Sequence, residues 1–190
     1  PYGDVEALEK AIDSHTVGFL VEPIQGEAGV VVPPEGFLKA ARELCAQKNV
    51  LFIADEIQAG LGRTGKTFAC EHEGVTPDVY ILGKALGGGI MPVSAVVSSR
   101  EIMSVFRPGD HGSTFGGNPL ACAVGEEVVG LLRTGEFQEN AARLGAKLFS
   151  AIEDAKPSKV DYVRGRGLWM GIVLTDEAGK ARPYCEALMQ

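Results

Sequence analysis

The chain has 190 residues, a formal net charge of −7 and a hydrophobic fraction of 45%, enough apolar material for one domain or slightly more. The acidic balance, with no run of Lys or Arg, argues against a nucleic-acid surface, and no apolar stretch is long enough to span a bilayer. Cys45, Cys70, Cys122 and Cys185 show neither C-x-x-C nor disulfide-framework spacing, so they read as thiols in a reducing compartment: the cytoplasm, or the mitochondrial matrix in a eukaryote.

In chain order, Asp4 caps an amphipathic helix over 5–12. A strand over 17–21 delivers Glu22 at its end, and 26–34 is a Gly/Pro-rich loop. A helix over 36–48 puts Phe37, Ala40, Ala41 and Leu44 on one face. A strand over 50–54 runs into Asp55, a glycine-rich loop covers 60–65, and a short helix covers 68–73. The strand over 79–82 and Gly83 lead to Lys84, followed by the turn Ala85-Leu86-Gly87-Gly88-Gly89 and a strand over 93–98. A loop over 108–118 ends where Pro119 starts a long helix to about 132. A helix over 137–154 and strands over 160–164 and 168–173, joined by a Gly165-Arg166-Gly167 turn, complete the pattern. A domain change between Leu132 and Gly135 divides the chain into 1–133 and 134–190. The absent initiator Met and the closing run Cys185-Glu186-Ala187-Leu188-Met189-Gln190, which looks like a helix cut in its middle, suggest a piece of a larger protein.

Short apolar runs bounded by turn signals read as buried strands of an α/β sheet. Asp55 and Lys84 both stand at the carboxyl ends of such strands, where open α/β sheets bind ligands. They are 29 residues apart, close to the roughly 30 residues of a βαβ unit, so neighbouring parallel strands are expected. One cofactor uses this pair of groups: pyridoxal 5′-phosphate (PLP), with a lysine Schiff base at its aldehyde and an aspartate at its pyridine nitrogen. A solvated surface lysine and a structural ion pair or helix cap are the plainer readings of Lys84 and Asp55. Gln58, one turn past Asp55, is placed to donate to a ring oxygen. Glu22 belongs to the same rim. Ser113 and Thr114, among glycines, offer donors for a phosphate, and Glu27 is available to a substrate charge. The three histidines are scattered and give no metal-ligand pattern.

Gly60-Leu61-Gly62-Arg63-Thr64-Gly65-Lys66-Thr67 fits both G-x-x-x-x-G-K-[ST] and G-x-G-x-x-G. Each pattern needs a strand running straight into the glycines and a helix running out. Asp55 to Ala59 intervene here, and Gly74 and Pro77 shorten any helix after the loop. A nucleotide-binding module is therefore the weaker alternative, and a fragment that only folds or dimerises is a third.

Four segments together resemble the class III (ω-amino acid) PLP-dependent aminotransferases. They are Val21-Glu22-Pro23-Ile24-Gln25-Gly26-Glu27; Ala54-Asp55-Glu56-Ile57-Gln58 with Gly62-Arg63-Thr64-Gly65; Leu82-Gly83-Lys84-Ala85-Leu86-Gly87-Gly88-Gly89; and His111-Gly112-Ser113-Thr114-Phe115-Gly116-Gly117-Asn118-Pro119. The resemblance implies fold type I: the mostly parallel sheet of a large PLP-binding domain in 1–133 and the start of a small α+β domain in 134–190, both truncated. It implies Lys84 as the Schiff-base lysine and acid/base, Asp55 at the ring nitrogen and Gln58 at the ring hydroxyl. Thr114, with Ser113, would reach the phosphate of a neighbouring subunit's cofactor, which implies a homodimer or higher homo-oligomer. Glu27 resembles a switch residue that pairs with an arginine for one substrate and releases it for the carboxylate of the other. Gly26 to Pro33 and Gly89 to Val96 point to the branch moving the δ-amino group of ornithine to 2-oxoglutarate; acetylornithine or another ω-amino acid is the alternative donor. Family members are much longer, so an isolated piece of this length is expected to have weak or no activity.

Overall fold

The computed structural model describes residues 1–175 and 180–189. Helix α1 (Val5–Ala11) begins where the Asp4 side chain accepts the Ala7 N–H at 2.9 Å, satisfying one of the donors a helix start leaves open. Strand β1 (Gly18–Val21) follows. Helix α2 (Phe37–Lys48) returns the chain between Gly36 and Asn49, both left-handed, so that β2 (Leu51–Asp55) lies parallel to β1. Strand β3 (Val79–Leu82) is parallel to β2, and β4 (Ala95–Ser98) closes the sheet antiparallel to β3. The spatial order is β1-β2-β3-β4. The expected mostly parallel sheet is present, with an antiparallel edge strand.

Alternation along β2 buries Phe52 and Ala54 completely, and both join the cluster built by Phe37, Leu38, Ala41 and Cys45 of α2. Residues of α1, with Tyr2, pack against the outside of that cluster. A fully buried Phe side chain contributes about 1.5–3 kcal/mol of transfer free energy, so this cluster carries much of the sheet's stability. Asp78 joins three pieces: its carboxylate takes Arg42 Nη2 of α2 and the Phe52 N–H of β2, each at 2.8 Å. That fixes where β3 enters the sheet.

Helix α3 (Arg100–Met103) is a single turn that the sequence reading did not anticipate. Helix α4 (Pro119–Leu132) starts with Pro119 behind the Asn118 cap, whose Oδ1 accepts the Ala121 N–H at 2.9 Å. A second cluster of Leu61, Leu82, Leu86 and Leu132 packs α4 against the end of β3. Helix α5 (Glu136–Ala155) then leads to a separate two-stranded ribbon, β5 (Val160–Arg166) and β6 (Trp169–Leu174). The reversal falls at Gly167-Leu168, not at Gly165–Gly167. Gly165 and Arg166 remain paired with Met170 and Trp169; position 165, at φ +129°, needs glycine, because an added methyl would run into the Trp169 carbonyl. Helix α6 (Arg182–Leu188) is the last described element. No described helix is long and apolar enough to cross a membrane.

Candidate active site

The sheet register sets the site. Val21 pairs with Ala54 and Asp55 with Ile81, so Glu22 and Asp55 come level at the carboxyl ends of β1 and β2. Lys84 follows three residues past the partner of Asp55. The expected placement of Asp55 and Lys84 on neighbouring parallel strands is therefore met. Glu22 and Asp55 also line one cavity of about 550 Å³, walled by Tyr2, Phe19, Phe37 and the inner side of α1.

Asp55 is half-buried, and its Oδ1 accepts the Ile57 N–H at 3.0 Å. This bond fixes the carboxylate while leaving Oδ2 without a hydrogen-bond partner among the described residues. Lys84 is exposed and sits at φ +43°, opening a short 3₁₀ turn over Lys84–Gly87. A side chain in the left-handed region costs on the order of 1–3 kcal/mol and persists only where its surroundings enforce it. Here Leu86, locked under α4, and Gly88 and Gly89, at φ +58° and +72°, enforce it. Among the described residues, Lys84 makes no ion pair.

Glu22 Oε2 accepts the Gly26 N–H at 3.0 Å and so holds the start of the loop that carries Glu27. The Tyr2 hydroxyl donates to the carbonyls of Glu22 and Pro23, and burial pushes its pKa well above the usual tyrosine range. Gln58 Nε2 donates to Glu27 Oε1 at 2.8 Å, so two residues read separately from the sequence meet directly. Ser113 and Thr114 lie in an exposed loop, where Ser113 Oγ accepts the Gly116 N–H at 2.9 Å. No described hydrogen bond links this loop to Asp55 or Lys84.

The chemistry of the donor set fits PLP. A pyridinium N–H needs an anionic acceptor, which Asp55 offers at Oδ2. An aldehyde needs an accessible amine, which Lys84 offers. A ring oxygen needs a neutral donor, and Gln58 carries a second amide hydrogen beyond the one given to Glu27.

The class III aminotransferase family profile matches residues 2–190. The chain belongs to the class III aminotransferases. It is 57% identical to the ornithine aminotransferase of Bacillus subtilis (strain 168) over 190 residues, all of this chain and 47% of that protein. Among solved structures it is similar to the ornithine aminotransferase of Toxoplasma gondii, crystallised with oxidised glutathione and with PLP at partial occupancy in its active site. There the TM-score is 0.89 and the identity 48%, over 93% of this chain and 42% of that one. The acetylornithine aminotransferase of Elizabethkingia anophelis superposes with a TM-score of 0.92 at 50% identity, over 99% of this chain and 48% of that one. The chain thus spans about half the length of the curated relatives it matches.

The nucleotide-loop pattern is resolved in favour of the aminotransferase family. Leu61 N–H closes on the Thr67 carbonyl at 2.6 Å, and the Arg63 carbonyl takes the Leu168 N–H at 3.1 Å. Thr64 is buried against His72, whose Nε2 lies 3.1 Å from its hydroxyl. The N–H groups of Leu61, Gly62 and Gly65 are thus taken by the loop's own carbonyls. The segment after it is a single 3₁₀ turn over Ala69–Glu73, where the sequence reading expected a short helix.

The sequence reading passed over Glu56. It is completely buried next to Asp55 and accepts the N–H groups of Ala69 at 3.0 Å and Cys70 at 2.9 Å. Burial outweighs those hydrogen bonds and holds its carboxyl above the usual range. Glu56 thereby ties the loop between Asp55 and the 3₁₀ turn into a closed unit. Its signal was present in the sequence: a charged residue directly after an apolar strand and next to another acid.

Proposed function

We propose that this chain is the lysine-bearing part of a PLP-dependent enzyme that moves the δ-amino group of ornithine to 2-oxoglutarate, giving glutamate and glutamate semialdehyde. The observation that carries the reading is the register, with the Asp55 carboxylate and the Lys84 amine at the ends of adjacent parallel strands. When bound, PLP supplies an electrophilic aldehyde and a protonated ring that draws electrons from the substrate carbon. Asp55, held by the Ile57 N–H, takes the ring N–H at Oδ2 and keeps that nitrogen protonated by opposing its charge. Lys84 would hold the aldehyde carbon through Nζ, and its amine would be the group that takes up and returns the proton in the transfer. Gln58 donates to the ring oxygen, and Glu27 answers to substrate charge.

In this reading 1–133 belongs to the large PLP-binding domain and 134–190 to the small one. Ser113 and Thr114 serve the phosphate in a homodimer, which is consistent with the absence of any described hydrogen bond from their loop to Lys84, and the enzyme works in the cytoplasm. The likeness to an acetylornithine aminotransferase supports a second reading, with the free amine of acetylornithine as the group transferred. The deciding experiment supplies the full-length protein with PLP and 2-oxoglutarate and follows glutamate formation from each donor, alongside Lys84→Ala. Faster turnover of ornithine than of acetylornithine, abolished in Lys84→Ala, is expected. Preference for acetylornithine establishes the second reading, and turnover that survives Lys84→Ala refutes both.

A further inference from the structure

The β5–β6 ribbon lies across the loops that follow the sheet. It grips both loops at the carboxyl ends of β1 and β2. Arg164 Nε donates to the Gly29 carbonyl at 2.9 Å, and the Leu168 N–H reaches the Arg63 carbonyl. At the centre stands Trp169, half-buried, with the Arg63 guanidinium 5.7 Å from its ring centroid. Gly26 lies between this ring and Gln58. A methyl group added at Gly26 would fall 2.8 Å from Gln58 Cδ and 2.9 Å from Trp169 Cζ2, and closer still to Gln58 Oε1. The Gln58 amide is therefore seated on a bare backbone, with the indole walling the same spot, while its Nε2 binds Glu27.

We propose that Trp169 is a positioning residue for the reaction: it holds Gln58 and Glu27 as one hydrogen-bonded unit, so that substrate charge felt at Glu27 alters the hydrogen bond Gln58 gives the cofactor ring. This rests on the functional reading above. Gln58 has two amide hydrogens, one already committed to Glu27. Any substrate that draws Glu27 away, or repels it, frees or turns that amide. Ornithine reacting through its δ-amine leaves a far end with one ammonium and one carboxylate, whereas glutamate reacting through its α-amine leaves two carboxylates, so the two load Glu27 differently and the unit lets one site treat its two amino donors differently. Trp169 touches neither substrate nor ring in this assignment. It acts by limiting where Gln58 can go.

The test uses the full-length holoenzyme and two substitutions that reach Gln58 from opposite sides. Trp169→Phe keeps an aromatic ring beside Arg63 but lacks the benzo ring that carries Cζ2. Gly26→Ala, at a glycine whose φ is not positive, pushes Gln58 off its seat. The readouts are the absorbance spectrum of bound cofactor and the ratio of single-turnover kcat/KM for ornithine against glutamate. Each variant is expected to shift that ratio at least about threefold, the scale at which contacting residues couple, and to move the absorbance maximum. Placed on a Gln58→Ala background, each should change nothing further. A purely structural role for Trp169 lowers cofactor content or melting temperature without moving the spectrum or the ratio, and that result overturns the proposal. Shifts of equal size with and without Gln58 overturn it as well. If Trp169→Phe does not fold, Trp169→Tyr, read by the same measurements with and without Gln58→Ala, takes its place. Wild-type holoenzyme whose absorbance responds to neither amine refutes the functional reading itself, and the inference with it.

Discussion

Replacing Glu56 probes the frame that presents Asp55. Its side chain is completely buried, and its carboxylate is the acceptor for two backbone N–H groups, those of Ala69 and Cys70. Glu56→Ala strands both donors in a region water does not enter, and each unpaired buried group costs about 1–3 kcal/mol. The two together put the loss near ~4 kcal/mol, a large share of the roughly 5–15 kcal/mol that holds a typical domain folded. At about 2–4 °C per kcal/mol for a chain of this size, the melting temperature should fall by roughly 8–16 °C. Glu56→Gln keeps one acceptor oxygen and should lose about half as much. It should also change the pH profile. Because burial raises the folded carboxyl above its ordinary value of 4.5, the folded state binds that proton more tightly than the unfolded chain. The contribution is greatest below pH 4.5 and is lost as the pH rises through the folded value; Glu56→Gln lacks this decline. Circular dichroism melts between about pH 4 and 8, with amide exchange at Ala69 and Cys70, measure both effects. An alanine variant that melts within about 2 °C of wild type, with both amides still protected, refutes the assignment of Glu56 as the loop's anchor.

Two further outcomes are expected. Gly145→Ala directs a methyl group into the backbone of Gly167, where overpacking costs about 1–3 kcal/mol against about 1 kcal/mol gained in helix propensity; calorimetry should find the variant less stable, and an unchanged melt would show that α5 does not press Gly145 against Gly167. His72 is held below its usual value of 6.5, first by burial and then by Arg166, so its contribution to stability is complete above pH 6.5 and is lost as the pH falls toward the folded value. The pH dependence of unfolding between about 5 and 7 should flatten in His72→Gln, and an unaltered slope would contradict the assignment.

Strand and helix types were readable from the sequence because the apolar runs before Asp55 and Lys84 are short and bounded by glycine or charge, and because Asp4 and Asn118 are strong helix starters. Bounds moved where backbone geometry, not side-chain pattern, decides. Gly36 caps α2 from outside it, and Gly165 stays inside β5 because the ribbon crowds that position. The pairing of Asp55 with Lys84 followed from strand spacing alone. The contact between Gln58 and Glu27 was not legible, since it joins loops 31 positions apart through a glycine whose missing side chain leaves no pattern. Trp169 was hidden for the same reason: it read as one more apolar strand residue, and its role depends on which loop the ribbon lies across. Glu56 was overshadowed by Asp55, its more recognisable neighbour.

Whether Lys84 carries the cofactor is tested most directly by borohydride reduction of the full-length holoprotein and peptide mass spectrometry. A phosphopyridoxyl mass on the peptide containing Lys84, with no label in Lys84→Ala, is the expected result. Label on another lysine, or none in a folded protein saturated with pyridoxal phosphate, would contradict it.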